Sequence, residues 1–161
     1  MTLLVRNEED IIEQSLRFHH ARGVDSFIVM DNLSTDRTPE IIKSLAKTLD
    51  IECVHQPEDT YDQAKWVTQM ARWALCGHGA DWVINSDADE FWVAASGDLK
   101  TELQSVPDTT GTLSVARHNA VVIGETVHLA RSHPETSDIF EKVSHNALAR
   151  IIHEGRLAAA A

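Results

Sequence analysis

The ten residues at 82–91 read WVINSDADEF, an apolar run that ends in three carboxylates. The apolar half is typical of a buried strand, so we predict a central β-strand over residues 81–86. Side chains two apart in an extended segment face the same side, which directs Asp87 and Asp89 into one cleft. Two such carboxylates repel each other unless a cation lies between them or one of them is protonated. A hard divalent ion such as Mg²⁺ or Mn²⁺ suits these oxygen ligands.

The residues before this run alternate between short apolar stretches and longer amphipathic ones. Alternation of this kind at short spacing predicts an α/β fold, with a mainly parallel sheet and helices on both faces. The predicted elements are strands at 2–5, 26–30 and 51–55 and helices at 8–22, 38–49 and from 61 or 62 to 76.

Local signals mark the ends of the first two helices. Asn7 is expected to cap the first helix, because acidic residues follow it, and Gly23 is expected to end it. Thr38 is expected to cap the second helix, with Pro39 at its first helical position.

Polar residues follow all four predicted strands. Ligands of parallel α/β sheets bind outside the carboxyl ends of the strands, so these polar residues are expected to line one site. They are Arg6-Asn7, Asp31-Asn32, His55-Gln56 and residues 87–90.

Three stretches together resemble the glycosyltransferase family 2-like proteins of the GT-A fold. They are residues 4–8 (LVRNE), 31–38 (DNLSTDRT) and 82–91 (WVINSDADEF), which stand in the order and at the spacing of that family. The resemblance covers residues 1–93 and fades beyond them. It implies a Rossmann-related sheet and a transferase that uses a nucleotide-sugar donor.

The resemblance also implies roles for residues at the strand ends. Asn7 and Glu8 would lie at the nucleotide pocket, and Asp31 would lie near the base and ribose. Gln63 and Lys65, at the start of the third helix, are further candidates for the nucleotide pocket or the phosphates. A structural alternative stays open for Asn7 as a helix cap, for Asp31 as a turn residue and for Lys65 as a solvated side chain.

A metal site is implied at the acidic motif. By the resemblance, Asp89 is the main ligand of Mn²⁺ or Mg²⁺ through the donor diphosphate, and Asp87 approaches the ribose or the metal. Some GT-A enzymes use a late histidine as a further ligand, which makes His145 or His153 a candidate; a surface or core role is the alternative for each. The cations nearby in sequence are few, so the metal is the expected source of positive charge.

After residue 93 the alternation stops. We predict a helical turn at 99–103 and a long strand or a bent pair at 112–123. Residues 140–153 are compatible with either a strand or a helix.

We interpret residues 1–157 as a single GT-A-like domain. Its nucleotide-sugar-binding half is 1–93, a partial and mixed acceptor-side half is 94–157, and residues 158–161 are an alanine tail or scar. Family members usually have more chain on the acceptor side, so a truncated or minimal domain is expected. An inverting transfer needs a carboxylate base from that side. The nominal candidates are Glu125, Glu135, Asp138 and Glu141.

The expected function is metal-dependent transfer of a sugar from a nucleoside diphosphate donor, UDP-linked by resemblance, to an acceptor hydroxyl on a carbohydrate or a lipid-linked molecule. A non-catalytic nucleotide- or sugar-binding module, or an inactive transferase domain, is the alternative. A sugar-nucleotide-forming nucleotidyltransferase is disfavoured because no glycine-rich loop follows the first strand. A response-regulator-like protein is disfavoured because that position lacks an acidic nucleophile.

Composition excludes several other classes. The 161 residues carry a formal net charge of −11, which disfavours nucleic acid and anionic membranes as partners. No stretch approaches the roughly 18 apolar residues of a membrane span. Cys53 and Cys76 form no metal- or redox-type pair, so we expect two buried thiols in a reducing compartment. The expectation is a cytoplasmic, bacterial protein.

Overall fold

The computed structural model describes residues 1–60, 62–107, 109–110 and 115, together with the backbone of three later strands. The chain divides into two units, Met1–Leu103 and Gln104–Ala161. The interpretation of residues 1–157 as a single domain stays a prediction.

The first unit alternates strands and helices, as the sequence predicts. Its strands are β1 (Thr2–Val5), β2 (Phe27–Asp31), β3 (Ile51–His55) and β4 (Asn85–Ser86). The helices are α1 (Ile12–His20), α2 (Thr38–Leu45), α3 (Gln63–His78) and the short α4 (Leu99–Gln104), whose last residue is the first of the second unit. The helical turn predicted at 99–103 is therefore confirmed as α4.

The four strands form one parallel sheet in the order β3-β2-β1-β4. Val5 lies opposite Asp31 at the carboxyl ends of β1 and β2, and Leu3 lies opposite Ser86 of β4. The strand order reverses beside β1, because β2 and β4 lie on its two sides. Such a reversal opens a crevice at the carboxyl ends of the strands, where α/β proteins bind their ligands.

Helices cover both faces of the sheet, and each face has its own core. Leu3 and Val29 belong to the core that α1 and α2 cover, whereas Ile28 and Met30 belong to a second core with Trp66 of α3. This division follows from the alternation of side chains along a strand. The predicted parallel sheet with helices on both faces is confirmed.

The ends of α1 differ from the prediction. Residues 8–11 form a turn in which the Glu8 carbonyl accepts hydrogen bonds from the N–H groups of Ile11 and Ile12. Asn7 is not the N-cap, because Ile11 holds that position and Asn7 adopts a left-handed backbone with φ 58°. Gly23 is not the C-cap either, because Ala21 holds that position; Gly23 follows two residues later with a left-handed φ of 89°.

The start of α2 and the extent of β4 are also corrected. Thr38 is the first residue of α2 rather than its cap, and its N–H donates to Oδ1 of Asp36 at 2.9 Å. The predicted strand at 81–86 contracts to Asn85–Ser86 and lies at one end of the described strand order, not in the centre. The register explains the contraction, since Asn85 already pairs with Thr2 at the start of β1.

Both cysteines are exposed, so the prediction of buried thiols is wrong. Cys53 lies on β3, at one end of the described strand order. Cys76 lies on the solvent side of α3, whose buried residues Trp66, Met70 and Ala74 follow each other at four-residue spacing.

The second unit contains three antiparallel strands, for which the backbone is described. They are β5 (His118–Ile123), β6 (Thr126–Arg131) and β7 (Phe140–Ser144), in the order β5-β6-β7. β5 accounts for part of the strand predicted at 112–123, and β7 resolves the start of 140–153 as strand. Residues 145–161, which include the alanine tail, lie outside the described residues.

Within the described part of the chain, no helix is both long and apolar enough to cross a membrane.

Candidate active site at the strand ends

Two short segments meet at the crevice beside β1. Residues 6–8 follow β1, and residues 87–90 follow β4, its neighbour in the sheet. The two segments carry the acidic side chains Glu8, Asp87 and Asp89. The sheet therefore brings together residues that are about 80 positions apart in the sequence, as the polar strand ends predict.

Residues 87–90 form a hydrogen-bonded turn, which we call the acidic turn. The N–H of Glu90 donates to the Asp87 carbonyl at 3.1 Å, and the Asp87 N–H donates to Oε2 of Glu90 at 3.3 Å. The extended conformation assumed from the sequence is thus wrong here. The two aspartates nevertheless share the exposed side of the turn, because Ala88 between them is buried in the core.

Glu8 is electrostatically coupled to the acidic turn. Partial burial raises the pKa of its carboxyl group, and the negative charges of Asp89, Asp10, Asp36 and Asp87 raise it further. Of these four charges, that of Asp89 raises the pKa of Glu8 the most. The end of β1 and the acidic turn therefore form one negatively charged region, which favours the approach of a cation.

The loop after β1 is fastened to the loop after β2. Oδ1 of Asn7 accepts from the Thr35 N–H at 2.8 Å, and the Asn7 N–H donates to Oγ of Ser34 at 2.9 Å. The Glu8 N–H donates to Oγ1 of Thr38 at 2.8 Å. These bonds hold Glu8 in place, and they occupy the Asn7 side chain in a structural contact.

A cleft of about 320 Å³ opens beside this region, within the range of small-molecule sites. It lies at the ends of β1 and β2 and reaches the start of α3. Its lining residues are Leu4, Val5, Arg6, Glu8, Asn32, Asp59, Thr60, Gln63 and Trp66. Glu8 and Gln63, both expected at a nucleotide pocket, thus share one cleft. The other described residues predicted for the site are not part of its lining, namely Asn7, Asp31, Lys65, Asp87 and Asp89.

An ion pair crosses the cleft. Nη1 of Arg6 donates to Oδ1 of Asp59 at 2.8 Å, and both side chains are largely exposed. Arg6 is the one cationic residue in the described lining, which also holds the carboxylates of Glu8 and Asp59. An anionic ligand in this cleft would therefore compete with Asp59 for the guanidinium group.

Asp31, the last residue of β2, has one carboxylate oxygen that accepts no hydrogen bond from a described group. Its side chain is 14% exposed, and Oδ2 lies 3.9 Å from Nδ1 of His55. Oδ1 is buried and accepts no hydrogen bond from any described group. A buried carboxylate oxygen without a donor is costly, so this atom is suited to accept a hydroxyl or N–H from a ligand.

Residues 3–96 match the family model described as Glycosyl transferase family 2. The chain belongs to glycosyl transferase family 2. The matched region contains β1 to β4, the cleft and the acidic turn, so every described residue of the candidate site lies in the family 2 region. No curated protein and no solved structure gives a significant match to the chain.

The anchoring role of Asn32 in the family 2 site is not predicted by the sequence. Asn32 is 7% exposed, and its Nδ2 donates to the carbonyls of Gln56 and Glu58. It thereby anchors the loop that carries Asp59 and Thr60. The sequence places Asn32 after a strand end, but its long-range partners leave no local signal.

The family 2 region shows no ready-made metal cage. Among the described residues, no group of three or more His, Cys, Asp or Glu side chains converges to hold an ion. His145 and His153, the proposed further ligands, lie outside the described residues, as do Glu125, Glu135 and Asp138. Of Glu141, the fourth candidate base, only the backbone in β7 is described.

Proposed function

We propose that the family 2 domain transfers a sugar from a nucleoside diphosphate donor to a hydroxyl group of a carbohydrate or lipid-linked acceptor, with Mn²⁺ or Mg²⁺ as cofactor. UDP is the proposed nucleotide, by the resemblance of the strand-end motifs. The observation that carries this proposal is the grouping of Glu8, Asp87 and Asp89 at the ends of two adjacent parallel strands. The cleft of about 320 Å³ beside them offers room for the donor.

The side-chain oxygens that would bind the metal at the acidic turn fit a hard divalent ion. They are carboxylate oxygens, which Mg²⁺ and Mn²⁺ prefer, and their mutual repulsion favours a cation. A site with only one or two protein carboxylates relies on substrate phosphates and water for its other ligands. Asp89 and Asp87 would hold the ion, and the bound ion would offset the charge that develops on the leaving diphosphate. We therefore expect strong metal binding only when the nucleotide is present.

Asp31 is proposed to bind the nucleoside. Its buried Oδ1 has no donor among the described residues, so a ribose hydroxyl or a base N–H would supply the missing hydrogen bond. Gln63 and Glu8 line the cleft and are proposed to contact the donor as well.

In the proposed reaction, an oxygen of the acceptor hydroxyl attacks the anomeric carbon of the donor sugar. The bond from that carbon to the diphosphate breaks, and the hydroxyl proton passes to a base. Inversion at the anomeric carbon is the proposed outcome. The base itself stays a prediction among Glu125, Glu135, Asp138 and Glu141.

Calorimetric titration with UDP, with and without Mn²⁺, tests the donor site. We expect binding that requires Mn²⁺ and that weakens at least about tenfold in Asp89→Asn, because a metal ligand is lost. Asp50→Asn is the matched control, because the Asp50 side chain is exposed. The hydrogen bond from the Phe27 N–H goes to the Asp50 backbone carbonyl, which the substitution leaves unchanged. Binding that ignores both Mn²⁺ and Asp89, or no binding of UDP or GDP, would contradict the proposed metal-dependent donor site.

A non-catalytic nucleotide-binding module is the second candidate. It is favoured by one observation, namely that every described site residue lies on the donor side of the chain, within residues 3–96. Release of UDP from UDP-sugars in the presence of Mn²⁺ separates the two. Slow hydrolysis of the donor supports a transferase, whereas tight binding without release supports the module.

A further inference from the structure

The acidic turn is closed by hydrogen bonds between the residues on its two sides. The indole Nε1–H of Trp92 donates to Oγ of Ser86 at 3.0 Å, and the Ser86 hydroxyl donates to the Asp87 carbonyl at 3.1 Å. Ser86 is fully buried. The placement of Asp87 and Asp89 therefore depends on where Trp92 is held.

Trp92 is held by a buried histidine of α1. Its backbone N–H donates to Nε2 of His19 at 3.0 Å. The His19 side chain is completely buried, and its Nδ1 lies 2.8 Å from the Ser15 carbonyl oxygen. A carbonyl only accepts, and an N–H only donates, so the two partners require the neutral tautomer with the proton on Nδ1.

The aromatic surroundings fix the plane of this imidazole ring. Phe91 stacks on it with a centroid distance of 6.0 Å and an interplanar angle of 18°. Phe18 meets both rings edge-on, at 5.1 Å from His19 and 5.0 Å from Phe91. The residues on either side of the His19–Trp92 bond are thus packed as one aromatic group.

We propose that His19 is a positioning residue for the acidic turn: its Nε2 holds the Trp92 N–H and so sets the positions of Asp87 and Asp89 for the donor and its metal. This role rests on the proposed function, since it affects donor binding only if these two aspartates take part in it. His19 itself lies in α1, outside the cleft lining, and touches no proposed ligand.

Two substitutions at position 19 separate positioning from packing. His19→Leu keeps an apolar side chain but removes the acceptor, whereas His19→Gln offers Oε1 close to where Nε2 lies. We expect His19→Leu to weaken Mn²⁺-dependent UDP binding by about 10- to 100-fold, the range for groups that orient metal ligands. His19→Gln should recover most of the affinity. His20→Leu is the control, because His20 is the exposed neighbour, and its affinity should change by less than about threefold.

Amide hydrogen exchange gives a second readout that needs no ligand. We expect the Trp92 and Glu90 amides to be protected in the wild-type chain and in His19→Gln, and to exchange faster in His19→Leu. If His19→Leu does not fold, Ser86→Ala tests the same closure, with a smaller loss of affinity and of Glu90 protection.

Two results would overturn the proposal. One is a folded His19→Leu variant that binds UDP with Mn²⁺ as tightly as the wild type does. The other is equal protection of the Trp92 and Glu90 amides in the wild-type chain and in His19→Leu. Failure of the wild-type chain to bind any nucleotide would instead contradict the proposed function. In that case the exchange of the two amides alone decides whether His19 positions the turn.

Discussion

The side-chain oxygen of Asn7 accepts two hydrogen bonds from Thr35, one from the backbone N–H at 2.8 Å and one from the hydroxyl at 3.3 Å. Asn7 makes these bonds from a left-handed backbone with φ 58°. Asparagine tolerates that conformation better than most residues. The pair ties the loop after β1 to the loop after β2, and both loops border the proposed donor site.

Substitution of Asn7 separates its backbone from its side chain. Asn7→Gly keeps the left-handed conformation and loses the hydrogen bonds, which should lower the free energy of unfolding by about 1 kcal/mol. Asn7→Ala also adds strain at φ 58°, for a total loss of about 2 kcal/mol. Urea denaturation measures both. Equal losses in the two variants would mean that the backbone conformation at position 7 carries no cost.

The raised pKa of Glu8 gives a direct readout of charge at the acidic turn. Asp89→Asn removes the strongest of the charges that raise this pKa, so we expect the pKa of Glu8 to fall in that variant. Addition of Mg²⁺ and UDP to the wild-type chain should lower it too, because a cation beside Asp89 favours the ionised carboxyl group.

Carboxyl NMR signals measured as a function of pH report both effects. The signal of Glu13, which pairs with Arg17 along α1 at 2.8 Å, is the internal control. It should be changed neither by Asp89→Asn nor by addition of the ligand. A Glu8 pKa that ignores both Asp89→Asn and the ligand would argue against a shared charge at this site.

Burial of His19 makes the stability of the fold dependent on pH. The pKa of His19 is lowered from 6.5 to about 4, chiefly by burial; the Ser15 carbonyl raises it, and the positive charges of Arg22 and the Met1 amino group lower it. The unfolded chain therefore takes up a proton at a higher pH than the folded chain does. The contribution of His19 to the free energy of unfolding is fully present above about pH 6.5 and is lost as the pH falls towards 4.

The lost stability should amount to about 3 kcal/mol for this one group. His19→Gln has no group that titrates there, so we expect its unfolding free energy to vary less between pH 6.5 and 4. Phe91 and Phe18, whose rings contact the imidazole ring, carry no charge. Denaturant unfolding at several pH values checks the difference, and parallel curves for the two chains would refute it.

The local pattern of the sequence predicts the sheet but not the details of the site. Apolar runs such as residues 26–30 define strands by their own composition, and their polar ends meet because parallel strands share an edge. The sequence predicts an extended segment at the acidic turn, since the closure of this turn depends on Trp92 and on His19, which lies 73 positions from Trp92. The sequence likewise predicts Asn7 as a cap, because its hydrogen-bond partner Thr35 lies in another loop.

Gly23 and Gly79 both adopt left-handed backbones but differ in their surroundings. A Cβ at Gly23 would lie 2.6 Å from Oδ2 of Asp98 and 2.9 Å from Cβ of Lys100, whereas one at Gly79 would meet nothing within 4 Å. We expect Gly79→Ala to cost about 1 kcal/mol from backbone strain alone. Gly23→Ala should cost about 2 to 4 kcal/mol, because Cβ of Lys100 can give way only if the segment that carries it shifts. Thermal and urea unfolding of the two variants compare them, and equal costs would show that the close contact is relieved without penalty.

The Arg6–Asp59 pair is expected to contribute little to stability and much to ligand binding. Its side chains are 49% and 71% exposed, and exposed ion pairs typically contribute less than about 1 kcal/mol. A charge-assisted bond from Arg6 to a phosphate contributes about 1.5–3 kcal/mol, so Arg6→Gln should weaken UDP binding by about 10- to 100-fold. Asp59→Asn should strengthen UDP binding, because it removes the competing carboxylate and leaves the guanidinium group available.

Calorimetric titration with UDP at two salt concentrations tests whether the charge of Arg6 contributes to this binding. The affinity of the wild-type chain for UDP should fall as salt is added, and Arg6→Gln should lose part of that dependence. Arg17→Gln is the matched control, because Arg17 is an exposed arginine paired along α1, outside the cleft lining. Weaker UDP binding in Asp59→Asn would show instead that Asp59 holds Arg6 in its binding position, since loss of the pair would then outweigh loss of the competing charge.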